Sequence, residues 1–90
     1  MIVKLFAGIR DIAGTPEVHP SGAPDTLGDL VAELSGRYGE ALGAGIVEDG
    51  RLSDFVVVLV NGRNVRLDAG LATALGQDDE VSIFPLVSGG

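Results

Sequence analysis

Apolar positions alternate loosely where the sequence begins. Ile2, Lys4 and Phe6 fall on one side of an extended segment, and Val3 and Leu5 on the other. In a stretch rich in β-formers, this predicts a first strand within residues 1–8. The segment from Gly8 to Gly14 is bounded by glycines and reads as a turn. Thr15–Pro20 is a short β-tolerant stretch flanked by prolines, and proline cannot donate to a central ladder. It is therefore expected as an edge strand, paired with the first strand as a hairpin. The period then changes. Leu27, Leu30, Val31, Leu34 and Tyr38 recur at helical spacing and share one face. Thr26 is placed to cap this helix, Asp29 stands at the capping-box position, Arg37 suits the C-terminal end and Gly39 stops it.

The second half is more broken. Glu40 to Asp54 is spaced by glycines, with room for one short turn of helix around residues 41–47. Phe55–Val60 is a near-continuous apolar run, as expected of a central strand. Asn61-Gly62 directly after it is a strong tight-turn signal, so Arg63–Leu67 reads as a short return strand. Asp68–Gly76 is a compact connection holding a brief helical turn, and Gln77–Glu80 is a charged, solvated turn. In the last strand Val81, Ile83 and Pro85 alternate with Ser82, Phe84 and Leu86. One set must face the core; the other, if exposed, forms a docking patch close to the chain's end.

The element order is therefore β-β-α-β-β. One helix of three turns covers one mixed sheet, not two. Placing the first and last strands side by side and parallel at the centre lets a hairpin flank each. That α+β arrangement is the β-grasp, or ubiquitin-like, fold. Residues 1–86 are read as the folded domain and residues 87–90 as a flexible Gly-Gly tail.

Composition narrows the chemistry. Ninety residues suffice for one small domain. The net charge of −7 argues against a nucleic-acid binder, which needs a dense Lys/Arg face, and against docking on an anionic membrane. The longest apolar run is far short of a membrane span, and Met1-Ile-Val-Lys4 lacks the layout of a signal peptide. A cytoplasmic location is the expectation. With no cysteine, thiolate catalysis, disulfides and Cys-based metal sites are excluded. With His19 as the single histidine, a His-rich metal site is excluded too. No bound cofactor and no metal are expected. Carboxylates, hydroxyls, backbone groups and the chain's end remain.

The sequence closes with Phe84-Pro-Leu-Val-Ser-Gly-Gly90. Glycine has no Cβ, so a Gly-Gly segment is thin and extends easily into a narrow channel. The Gly90 carboxylate is an anion at neutral pH and resists nucleophiles. It becomes reactive once activated, for example as an acyl-adenylate. Gly90 is thus the candidate reacting residue. Gly89, Ser88, Val87, Leu86 and Phe84 are the candidate tail and partner-binding residues.

Three segments carry a family resemblance: Leu5-Phe-Ala-Gly-Ile-Arg-Asp-Ile-Ala-Gly14, Thr26-Leu-Gly-Asp-Leu30, and Asp78-Asp-Glu-Val-Ser-Ile-Phe-Pro-Leu-Val-Ser-Gly-Gly90. Together they resemble the ThiS/MoaD family of ubiquitin-like sulfur carriers, along essentially the whole chain. The resemblance implies a β-grasp fold and a partner adenylating enzyme, related to ubiquitin-activating enzymes, that uses ATP to activate Gly90. It also implies conversion of Gly90 to a thiocarboxylate, so that the protein is a sulfur-donating cosubstrate and not a catalyst by itself. Phe6-Ala-Gly-Ile-Arg-Asp11 and the ending resemble the small subunit of molybdopterin synthase, which implies the large subunit as partner and a role in molybdenum cofactor biosynthesis. Val65–Leu75 resembles instead the branch feeding sulfur into cysteine synthesis, and related archaeal carriers. Sulfur delivery for cysteine or thiamine synthesis, by way of another sulfur-accepting synthase, is therefore an alternative. A further one is a protein modifier joined through Gly90 to lysines.

The remaining polar residues read as structural. His19 is an edge-strand residue, Arg10-Asp11 a turn ion pair, and Asn61–Asn64 a hairpin turn and not a phosphate-binding loop.

Overall fold

The computed structural model describes residues 1–86. In chain order the elements are β1 (Ile2–Leu5), α1 (Ala7–Ala13), β2 (Glu17–Val18), α2 (Leu27–Tyr38), α3 (Glu40–Ile46), β3 (Val47–Glu48), β4 (Arg51–Leu52), β5 (Val56–Val60), β6 (Arg63–Asn64) and β7 (Glu80–Pro85). Two 3-10 turns, Val65–Leu67 and Gly70–Ala72, connect β6 to β7. The main sheet runs β2-β1-β7-β5-β6. β1 and β7 are parallel, with Val3 opposite Val81 and Leu5 opposite Ile83. β2 and β5 flank this pair antiparallel. This is the expected β-grasp arrangement: β2 flanks the parallel centre on one side, β5 and β6 lie on the other, and a helix crosses one face.

Alternation along the strands decides what lies beneath the helices. Val3 and Leu5 of β1, Val56 and Val58 of β5, and Val81 and Ile83 of β7 all turn inward. They share a core with Leu27, Leu30, Val31 and Leu34 of α2, Ile9 of α1, and Leu42 and Ile46 of α3. Burying each such side chain contributes about 1.5–3 kcal/mol. The α2 start forms as its sequence predicts: Thr26 Oγ1 accepts the Asp29 N–H at 3.2 Å. The Gly39 N–H closes the other end on the Ser35 carbonyl.

Several elements differ from the sequence reading. Residues 8–14 are not a turn; they belong to α1, which ends where Gly14 adopts φ 75° and donates to the Arg10 carbonyl. A single buried side chain, Ile9, anchors this helix, so no apolar period betrays it. The β1–β2 pair is joined through α1, and its edge strand shrinks to Glu17–Val18. The β5 strand begins at Val56, leaving Phe55 outside it, and its buried positions alternate with half-buried ones. The return strand is two residues long, because Asn64 Oδ1 accepts the Arg66 N–H and starts a 3-10 turn. An unexpected hairpin, β3–β4, lies within Glu40–Asp54. Its turn is Asp49-Gly50, with φ of 53° and 75°. The β5–β6 turn at Asn61-Gly62 has the same pattern, 52° and 83°. Both suit the tight turns that match strand twist.

Candidate functional site

The inward set on β7 is Val81 and Ile83, which leaves Ser82, Phe84 and Leu86 on the open side of the sheet. This settles which face of the last strand is available. Ile2 and Lys4 share that side from β1, Phe6 from the extended position just after it, and Val57 and Leu59 from β5. The Phe6 and Phe84 rings stack, with centroids 4.2 Å apart and planes 12° from parallel. Stacked aromatic pairs add about 0.5–1.5 kcal/mol beyond their burial. Phe6 sits at this point because β1 and β7 run in register, Leu5 beside Ile83, so the next outward residues meet.

The root of the chain's end is fixed by one more bond. The Leu86 N–H donates to the Phe55 carbonyl at 2.8 Å, one step past the Pro85–Val56 register pair. Phe55 is 66% exposed and Leu86 50% exposed. A broad apolar strip therefore runs from Phe6 and Phe84 to the point where residue 87 begins. Of the sequence-predicted site residues, the structure brings Phe84 and Leu86 to this strip. Val87, Ser88, Gly89 and Gly90 lie outside the described residues.

Sequence reasoning missed Phe6, Phe55 and Arg66. Phe6 carried a signal, its parity with Lys4. Phe55 lay inside the run assigned to β5, but it stands before the strand and keeps its ring exposed. Arg66 had no local signal. Its guanidinium donates to the carbonyls of Ser53 and Val56, the latter at 3.2 Å, and so pins the loop that presents Phe55. Beside this loop, between residues 48–55 and 66–72, lies an open groove of about 730 Å³.

Charges border the strip without crossing it. Lys4 Nζ lies 3.0 Å from Glu80 Oε1, and the hydrogen bond and charge of Glu80 hold the lysine above its ordinary pKa. The acidic turn is more than solvated. The Asp79 carboxylate accepts the Gly76 N–H at 2.7 Å and the Asn61 side-chain amide at 2.8 Å. Those bonds, the Gly76 one first, hold Asp79 below the usual carboxylate range. His19 is exposed, 3.3 Å from Glu17, as expected of an edge residue. Arg10 and Asp11 do approach, at 3.7 Å, but on α1. Among the described residues, no group of three or more His, Cys, Asp or Glu is placed to hold a metal ion. Among the described residues, no helix is long and apolar enough to cross a membrane.

Three comparisons with known proteins agree with this geometry. The chain is 38% identical over 89 residues to small archaeal modifier protein 3 of Haloferax volcanii, spanning 98% of this chain and 96% of the relative. It is 39% identical over 84 residues to the sulfur carrier protein CysO of Mycobacterium tuberculosis, spanning 86% and 83%. In three dimensions it superposes on a chain of the Amycolatopsis orientalis BexX/CysO complex with a TM-score of 0.86 and 28% identity, covering 99% and 98%. The sequence profile of the ThiS family matches residues 3–90, and with these relatives it establishes that the chain belongs to the ThiS family.

Proposed function

We propose that this protein is a sulfur carrier whose Gly90 is the reacting residue. The observation that carries this reading is the way β7 ends. The strand is held by β1 on one side and by β5 on the other, the Leu86 N–H is bonded to the Phe55 carbonyl beside an exposed apolar strip, and the sequence continues from there with Val-Ser-Gly-Gly90. A rigid scaffold with an apolar face beside its reactive end suits an enzyme that must grip the carrier and reach one carboxylate. In the first step a Gly90 carboxylate oxygen attacks the α-phosphorus of ATP on an adenylating enzyme, and pyrophosphate leaves. A hydrosulfide equivalent then attacks the acyl carbon, the carbon–oxygen bond breaks, AMP leaves with the electron pair, and a thiocarboxylate remains. Phe6, Phe84, Leu86 and Phe55 supply contact area, and Arg66 holds the Phe55 loop in place.

The relatives are named a sulfur carrier protein and a small archaeal modifier protein, which supports a carrier role; the sulfur would go to an accepting synthase, or Gly90 would instead be attached to lysines. A second reading is the small subunit of molybdopterin synthase, donating sulfur to a pterin precursor beside a large subunit. The segment Phe6-Ala-Gly-Ile-Arg-Asp11 favours it. Intact mass spectrometry of the protein from its native cells separates these outcomes. Exchange of one oxygen for sulfur at Gly90 supports the carrier. Gly-Gly remnants on lysines of other proteins support the modifier, and co-purification with a molybdopterin synthase large subunit supports the second reading. Full activity of a chain lacking Gly89 and Gly90 would overturn all three.

A further inference from the structure

An activated acyl group endangers the molecule that carries it, because any amine within reach can take it. The side-chain amines of this sequence are reduced to one, Lys4; the other five basic residues are arginines. Guanidinium groups stay protonated at any pH the protein meets and do not accept acyl groups readily. Lys4 lies on the open sheet face, 43% exposed, and a second copy could approach it.

Its neighbours oppose acylation from two strands. Glu80 of β7 holds the ammonium at 3.0 Å. Glu17 of β2 stands directly opposite Lys4 in the β1–β2 register, with His19 at 3.3 Å from its carboxylate. Acylation needs the neutral amine. Both carboxylates favour the charged form, and Glu80 also occupies the nitrogen directly.

We propose that Lys4 is the one side-chain position at which copies of this protein could be joined to each other, and that Glu80 and Glu17 guard it, so that the carrier is passed on as single units and not as chains. The inference rests on the reading of Gly90 as the activated residue. In the reaction held back, the Lys4 Nζ lone pair attacks the Gly90 acyl carbon and forms a C–N bond. The carbon–oxygen bond to the adenylate breaks, AMP leaves with the electron pair, and the ammonium proton passes to water. The guard slows this step by lowering the share of neutral amine. A surface ion pair shifts such an equilibrium by a modest factor, so the effect is a bias and not a block.

The test needs no activating enzyme. Acetylation of Lys4 by sulfosuccinimidyl acetate at pH 8 is followed by peptide mass spectrometry in the wild type, Glu80→Gln and Glu17→Gln/Glu80→Gln. The substitution leaves the Glu80 main-chain bond to Asn61 in place. The rate should rise about two- to fivefold in Glu80→Gln and further in the double variant. An unchanged or lower rate would overturn the guard. In parallel, each protein is prepared as a Gly90 thioester and incubated alone or with free lysine. Copies linked through Lys4, scored by peptide mapping apart from any linked through the Met1 α-amine, should be scarce in the wild type, increase in Glu80→Gln, and vanish in Glu80→Gln/Lys4→Arg. Copies joined through another side chain would overturn the assignment of Lys4. If acetylation rises as expected while the thioester transfers to no amine, free lysine included, the guard stands and the reading of Gly90 as an acyl donor fails instead.

Discussion

The two faces of the main sheet are made by the same strands and do opposite work. On the covered face, Val3, Leu5, Val56, Val58, Val81 and Ile83 are buried against three helices. On the open face, Phe6, Val57, Leu59 and Phe84 stay partly exposed, and Leu86 and Phe55 more so. In β5 and at the end of β7 apolar side chains alternate with apolar side chains, so hydrophobicity alone does not separate the faces there. The separation comes from what crosses over. α2 is long enough to cover one side, and nothing among the described residues covers the other. An apolar face kept in contact with water reduces solubility, so its retention around Phe84 and Leu86, the last described residues before the proposed reacting segment, is a functional sign.

The comparison predicts that changes on the two faces fail differently. Deleting Gly90 should have the largest effect: sulfur transfer is abolished while the thermal unfolding midpoint stays within error, read by product formation and calorimetry. Gly89→Val should act in the same direction by widening the tail, with slow transfer and unchanged stability. On the covered face, Leu34→Ala should cost about 2–5 kcal/mol of stability in a denaturant titration, because it leaves a cavity under α2. The protein that remains folded should be activated at the normal rate. On the open face, Phe84→Ser should weaken activation by raising KM about tenfold with kcat little changed, and should cost about 1 kcal/mol through the lost ring stack. If Phe84→Ser instead unfolds the protein and leaves KM unchanged, the two faces do not divide as stated.

The smallest effect concerns Asp79, at the turn that ties β7 to the β5–β6 hairpin. Its folded pKa is lowered by the Gly76 and Asn61 hydrogen bonds, so its contribution is complete above the unfolded value of about 3.9 and is lost as pH falls through the folded value. Asp79→Asn should be less stable than the wild type near neutral pH by about 1 kcal/mol. Urea midpoints of the two proteins should converge as pH drops toward 2.

Much of this division is readable before folding. The α2 period, its Thr26 cap, the β5 run and the Asn61-Gly62 turn are each local patterns backed by several residues. The placement of β1 beside β7 follows from element order and size. What is not readable is what depends on few residues or on distant ones. α1 rests on one buried side chain, Ile9, and glycines at both ends disguise it. The β3–β4 hairpin has two residues per strand, so Asp49-Gly50 is its one signal. Arg66 acts on Ser53 and Val56 across an intervening hairpin, and its neighbours in sequence say nothing of that. The direction of Phe84 is an outcome of register: alternation shows that Phe84 and Ile83 oppose each other, and packing decides which goes inside.

The most direct measurement is mass spectrometry of Gly90 after the purified protein is incubated with its adenylating enzyme, ATP and a sulfur donor. A thiocarboxylate should form on the wild type, form at the same limiting rate on Leu34→Ala at a temperature where it is folded, and require more carrier for half-maximal rate on Phe84→Ser. Absence of any sulfur on wild-type Gly90 under conditions that support product formation would contradict the proposed chemistry.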